Sequence, residues 1–313
     1  MKTKKSNINF ICNEWLEIKR LSIKYSSYVK YKKIITMYIF PFFEENQLEN
    51  TNEVIIAKYF LNLTNEKKLS SSTLHSIKNV FSSIYMYGEQ KYKLKHVDFT
   101  IVKIPSSKKS NTILSKEEEN ALSHYCFSHF DSTAIAILLG LYAGLRIGEI
   151  CALQWVDIDF KQETILIKQT VQRLESENDN NTKTELMILS PKTVSSYRYV
   201  IIPKFLSEYF SKYSLYLKKE KINNDNYLLS NSLEIIEPRT IQRRFEKVCE
   251  QLGFKSNFHA LRHTYATNCI KLGIDVKTVS EMLGHSNVST TLNRYVHPSM
   301  EYKKEQINKL QLI

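Results

Sequence analysis

Residues 103–118 read KIPSSKKSNTILSKEE, and the chain divides there. Pro105, three serines and Lys108-Lys109, with no apolar periodicity, have the composition of a linker. Directly after it, Ser115-Lys116-Glu117-Glu118 is a capping box. The serine hydroxyl takes a first-turn N–H and Glu118 reaches back to the cap, so a helix and a new domain start there. The expected division is 1–105, a linker over 106–111, and 112–313.

The two sides differ in charge. Of 44 Lys and Arg against 32 Asp and Glu in 313 residues, 19 and 9 fall within residues 1–109, a net of +10; the remainder holds 25 and 23. A strongly basic module joined to a near-neutral one suggests that the first faces a polyanion. A hydrophobic content of 42% supports packed cores and excludes a disordered basic tail. No uncharged apolar run is long enough to span a bilayer, and Met1-Lys2-Thr3-Lys4-Lys5 leads into no apolar stretch, so neither a membrane span nor a signal peptide is expected. Five scattered cysteines without a CxxC indicate neither a disulfide framework nor zinc, and fit a reducing cytoplasm.

Upstream of the linker the pattern is helical. Ile8, Ile11, Trp15, Ile18 and Leu21 recur at helical spacing; Val29, Ile34, Ile35 and Tyr38 continue it until Pro41, which is expected to stop it. Asn52 can cap a third helix, and Ser71 or Ser72 can start a fourth through Leu74, Ile77, Phe81, Ile84 and Tyr85. Lys19, Arg20, Lys24, Lys30, Lys32, Lys33 and Lys78 fall on the polar faces, where lysine is as often merely solvated as functional. Downstream, Ser132–Tyr142 reads as an apolar helix. Trp155–Phe160 and Thr164–Val171 read as a hairpin, 175–184 as a polar loop and Tyr197–Ile202 as a strand; beyond that the chain reads as helical.

Chemistry concentrates in the second part. Gly140, Gly144 and Gly148 lie four apart in a chain with only seven glycines. They mark one helical face or a tight helix-to-helix turn, and place Arg146 at a close backbone approach with Glu149 one turn on to orient it. His259 and Arg262 share a helical face; His285 follows Gly284, read as the residue just past a helix begun at Asp275; Tyr295 comes ten residues later. Pro191-Lys192-Thr193 projects a lysine at a turn. Arginines clamp phosphate oxygens, a tyrosine hydroxyl can form a phosphodiester, and histidine and lysine can move protons. No carboxylate cluster for Mg²⁺, no Gly-rich phosphate loop and no HExxH is present, so no cofactor and no metal is expected.

The segments AGLRIGEICALQW, SPKTVSSYRYVIIP, FHALRHTYAT and LGHSNVSTTLNRYVH, in this order behind a lysine-rich helical module, resemble the tyrosine recombinase (phage integrase) family, Xer-like or mobile-element integrase. The resemblance implies a mainly α fold with a small antiparallel β-sheet: a helical, SAM-like core-binding domain and an α+β catalytic domain. It implies a site-specific DNA recombinase that cleaves and rejoins strands through a covalent 3′-phosphotyrosine and a Holliday junction. Arg146, Lys192, His259, Arg262, His285 and the nucleophile Tyr295 would be the catalytic set, with Glu149 in support. Lys183 competes with Lys192, because 175–184 lengthens the segment before it. His263 and His297 are read as structural or dispensable; Arg198, Arg243, Arg244 and Arg294 as phosphate-backbone contacts or solvated charges. The partners implied are double-stranded recombination sites and a homotetramer, or a heterotetramer with a paralogue, on DNA. A cytoplasmic, nucleoid-associated protein is expected. The apolar tail Met300–Ile313 would dock on its own domain or on a neighbour, and a start directly at the core-binding module favours simple sites. Supercoil relaxation by a type IB topoisomerase, or DNA binding without catalysis, are the competing readings.

Overall fold

Helix α1 (Ile8–Arg20) buries Ile8, Ile11, Cys12, Trp15 and Leu16, the stripe that helical spacing demands. The computed structural model describes residues 8–46, 48–105, 113–176, 184–190, 197–217 and 222–295, with 300, 304, 307 and 308. The linker 106–111, most of the polar loop and most of the C-terminal tail lie outside these. The chain forms two compact units, Met1–Lys109 and Ser110–Ile313.

The first unit is helical. Ile18 and Leu21, expected on the apolar face, are exposed: one lies in the last turn of α1, the other beyond it. Helix α2 (Tyr25–Ile34) runs through a π-helical turn, Ile35–Ile39, into α3 (Phe40–Glu45). Pro41 therefore does not end the helix. It occupies the first turn of α3, where the ring is tolerated, and the wide turn before it absorbs the lost hydrogen bond. Asn52 caps α4 (Glu53–Asn65), its Oδ1 accepting from the N–H groups of Val54 and Ile55 at 3.0 and 3.1 Å. The next cap is Ser70, one residue before the expected start, and α5 (Ser71–Tyr92) follows. The rings of Phe42, Phe81 and Phe99 meet edge-on at the centre. Of the cations assigned to the polar faces, Lys32 and Lys33 are exposed, whereas Lys78 donates to the Val102 carbonyl at 2.8 Å and is spent holding the unit together.

The second unit opens on α6 (Lys116–Ser128), with the Ser115–Glu118 capping box formed in both directions. Asp131 caps α7 (Ser132–Tyr142), which is buried from Thr133 to Leu141 and forms the spine of the core. Helix α8 (Ile147–Ala152) follows after a turn. The expected hairpin is smaller than its sequence pattern. Trp155–Asp157 is a 3₁₀ turn, and only β1 (Ile158–Asp159) pairs with β2 (Thr164–Ile167). The second run breaks at Lys168-Gln169, where Lys168 pairs with Asp157 at 2.7 Å and Gln169 donates to the Ala152 carbonyl at 2.9 Å. Beyond that break β3 (Thr170–Glu175) joins a strand the pattern did not announce, β4 (Thr184–Leu189), in a separate two-stranded sheet. Its partial burial on both faces hides the alternation. Strand β5 (Arg198–Ile201) pairs antiparallel with β2, giving the order β1-β2-β5. Then come α9 (Lys204–Tyr216), α10 (Pro238–Gln251), α11 (His259–Lys271), α12 (Val276–Leu283) and α13 (Val288–Tyr295).

All five cysteines are buried and free. No described helix is long and apolar enough to cross a membrane.

Candidate active site

Three breaks in secondary structure converge on the N-terminal end of α11: the α7–α8 turn, the start of β5 and the α12–α13 junction. Gly140 lies in α7, Gly144 in the turn and Gly148 in α8, so their spacing marks the helix-to-helix turn. Arg146 is the N-cap of α8, and its N–H donates to Glu149 Oε2 at 2.9 Å. Its guanidinium Nη1 donates to Oε1 of the same carboxylate at 2.8 Å. One glutamate thus closes the helix end and orients the arginine, which keeps 38% of its side chain exposed.

Arg198 grips the same carboxylate from β5. Nη1 and Nη2 reach Oε1 and Oε2 at 3.2 and 3.1 Å, and Nε donates to the Met282 carbonyl at 2.9 Å. With 7% of its side chain exposed, Arg198 is neither solvated nor a surface phosphate contact. It is a buried keystone between β5, α8 and α12. Burial alone would push the Glu149 carboxyl up; Arg198 first, then Arg146 and Arg262, overturn that and hold it down at about 2.

Arg262 is 2% exposed. Nη1 donates to the Gly144 carbonyl at 2.7 Å, Nη2 to the Leu283 carbonyl at 2.5 Å and to His285 Nε2 at 3.1 Å. All three partners are formally neutral groups. Burial and the neighbouring Arg146 and Arg198 pull this guanidinium's pKa down, against the pull of Glu149, so the cluster is poised to accept an anion. Arginine has no acceptor, so His285 Nε2 must be the lone-pair nitrogen, and Nδ1–H donates to Thr291 Oγ1 at 2.9 Å. Two left-handed glycines set up these contacts. Gly144, at φ +64°, aims its carbonyl at Arg262; Gly284, at φ +65°, ends α12 and leaves its carbonyl 3.4 Å from Arg146 Nη2. A Cβ at Gly284 would stand 2.9 Å from Arg198 Nη1.

Tyr295 ends α13 and is 6% exposed, packed with Tyr265, Cys269, Val279 and Leu283. Its Oη lies 2.7 Å from Nδ1 of His263, the residue after Arg262. His259, one turn earlier on α11, is exposed and sets its ring edge against His263 at a centroid distance of 4.3 Å. Arg146 with Glu149, and Arg262 with His285, are therefore joined in two direct pairs, and His259 and Tyr295 are linked through His263. Lys192 and its competitor Lys183 lie outside the described residues, as do His297 and the Arg294 side chain. Arg244 donates to Ser132 Oγ at 3.0 Å on the exposed surface, away from these contacts.

Residues 112–302 match the Phage integrase family, and residues 7–64 match its N-terminal SAM-like domain. The chain belongs to the phage integrase family. Among curated relatives of this family member, a tyrosine recombinase XerC-like protein of Caldanaerobacter subterraneus is 28% identical, the match covering 96% of the chain and 81% of the relative. Transposase A of transposon Tn554 from Staphylococcus aureus is 26% identical over 67% of the chain and 55% of its own length. Among solved structures, the Tn1549 transposon integrase in complex with circular intermediate DNA has the same fold, at TM-score 0.73 and 18% identity, covering 96% of this chain and 99% of that one. Within this family member, Arg198 and His263 are the site residues that sequence reasoning undervalued. A signal for His263 was available: it follows Arg262 directly and stands one turn from His259.

Proposed function

We propose that the chain is a site-specific DNA recombinase in which Tyr295 is the nucleophile. The observation that carries this is the cluster at Arg262: a buried guanidinium resting on two carbonyls and an imidazole, beside Arg146 braced by Glu149. Such a cluster is preorganised for a phosphate whose negative charge grows in the transition state. Arg146 and Arg262 bind the scissile phosphate of duplex DNA, and His285 holds Arg262 in place for it. Tyr295 attacks phosphorus to give a 3′-phosphotyrosine and a free 5′ oxygen, which Lys192 protonates while His259 assists proton movement. The phosphodiester energy stays in the phosphotyrosine, so religation to a partner strand needs no nucleotide triphosphate. Exchange through a Holliday junction by four protomers completes the reaction.

Residues 1–105 act as the core-binding domain, and the net +10 of residues 1–109 supplies electrostatic affinity for the duplex. DNA as partner is supported by the relatives: besides the Tn1549 integrase, XerH bound to palindromic difH in a post-cleavage complex has the same fold, at TM-score 0.69.

The test begins with a pool of random-sequence duplexes, from which strands covalently joined to the protein are captured and sequenced. A consensus cleavage sequence is expected, with adducts that vanish in Tyr295→Phe while DNA binding persists. Absence of any adduct, or adducts that survive Tyr295→Phe, would refute the reading. Relaxation of supercoiled DNA without a preferred sequence would place the chain with topoisomerases instead.

A further inference from the structure

The contact at Tyr295 goes further than the family reading. We propose that His263 accepts the phenolic proton when Tyr295 attacks, a step that rests on Tyr295 being the nucleophile. A tyrosine hydroxyl, with an ordinary pKa near ~10, is almost wholly protonated at neutral pH and needs a base at its oxygen to attack well. His263 Nδ1 stands 2.7 Å from that oxygen, and the two residues are 7% and 6% exposed, so bulk water is kept from the contact. With Tyr295 as donor, Nδ1 is the lone-pair nitrogen. The base also rides on the phosphate clamp. His263 follows Arg262 on α11, and that turn is locked by the Gly144, Leu283 and His285 contacts. Acceptor, nucleophile and phosphate cations are thereby fixed in one frame.

The step balances. The Tyr295 O–H bond breaks, its proton moves to Nδ1 and the oxygen lone pair forms the O–P bond. The P–O5′ bond breaks, its electron pair leaves on O5′, and Lys192 supplies that oxygen's proton. Religation reverses each transfer. The titratable groups in contact with His263 include Tyr295 from α13 and His259 on its own helix, and Arg262 precedes it in the chain. Lys277 and Glu281 on α12 are exposed, and α7 carries only Tyr142 of this kind.

The test is single-turnover cleavage of a nicked duplex bearing the sequence selected from the random pool. His263→Asn keeps an acceptor oxygen near Nδ1 but no basic nitrogen; His263→Phe removes both. Both are expected to slow cleavage about 10²–10⁴-fold with DNA binding unchanged. Cleavage by His263→Asn within about threefold of the parent would reduce the contact to positioning and overturn the proposal. Faster cleavage in either variant would also overturn it, since the contact would then restrain an idle tyrosine. Should both variants lose their fold, the parent protein decides, using a substrate whose bridging 5′ oxygen is sulfur and needs no proton on leaving. Its cleavage rate should rise about tenfold per pH unit below the histidine range and then level; a flat profile overturns the assignment. Tyr295→Phe separates the two readings. An adduct that survives it sinks the nucleophile itself, whereas a Tyr295-dependent adduct formed at full rate by His263→Asn sinks only the role of His263.

Discussion

Replacing Glu149 by Gln tests whether the arginine cluster is held by one charge. The carboxyl is buried, accepts from Arg146 and Arg198, and is held at about 2 instead of the ordinary 4.5. A lowered carboxylate pKa stabilises the fold above the unfolded value, and that stabilisation is lost as pH falls through the folded value. The shift corresponds to about 3 kcal/mol at neutral pH. Removing one partner of a buried ion pair costs about 3–5 kcal/mol, so the two routes agree. Glutamine cannot titrate, so the penalty should shrink from about 3 kcal/mol at pH 7 to about 1.5 kcal/mol at pH 3. The chain carries one tryptophan in each unit, and Trp155 is buried against Tyr213 in the second. Urea unfolding in a Trp15→Phe background, followed by Trp155 emission, therefore reports that unit alone. A penalty below about 1 kcal/mol, or one that does not change between pH 7 and pH 3, would refute the reasoning.

Thr291→Val removes the acceptor for His285 Nδ1–H; cleavage of the selected duplex should fall about tenfold with unchanged DNA affinity, and an unaltered rate would show that the tautomer is set elsewhere. Gly284→Ala forces a methyl to within 2.9 Å of Arg198 Nη1 at a left-handed φ of +65°. It should cost about 1–3 kcal/mol of unfolding free energy in the same Trp155 assay, where a loss under half that lower bound would mean the loop relaxes freely. Lys32→Ala with Lys33→Ala removes two exposed cations of the first unit; the slope of log affinity against log salt should shallow by about two, whereas an unchanged slope would place both lysines away from phosphate.

Much of this molecule is legible from local rules. The Ser115–Glu118 box, the Asn52 cap, the apolar run of α7 and the Gly284 terminus need only residues a few positions apart. Pro41 shows where such rules fail: its cost depends on the backbone upstream, and a π-helical turn there accommodates it. The strand β4 escaped notice because a two-stranded sheet exposed in part on both faces has no dry side to impose alternation. Arg198 escaped for a different reason. An arginine in a strand says nothing of its depth until the partner it meets, 49 residues away, is known.

By itself the sequence determined the two-part organisation, the uneven charge, the helix ends at Asn52, Ser115 and Gly284 and the family, because caps and ordered motifs are properties of neighbouring residues. Only the tertiary structure decided that Arg198 is buried on Glu149, that Arg262 meets His285 Nε2 and that Tyr295 faces His263. Those outcomes depend on hydrogen bonds between residues 23 to 49 positions apart, and burial makes each of them strong.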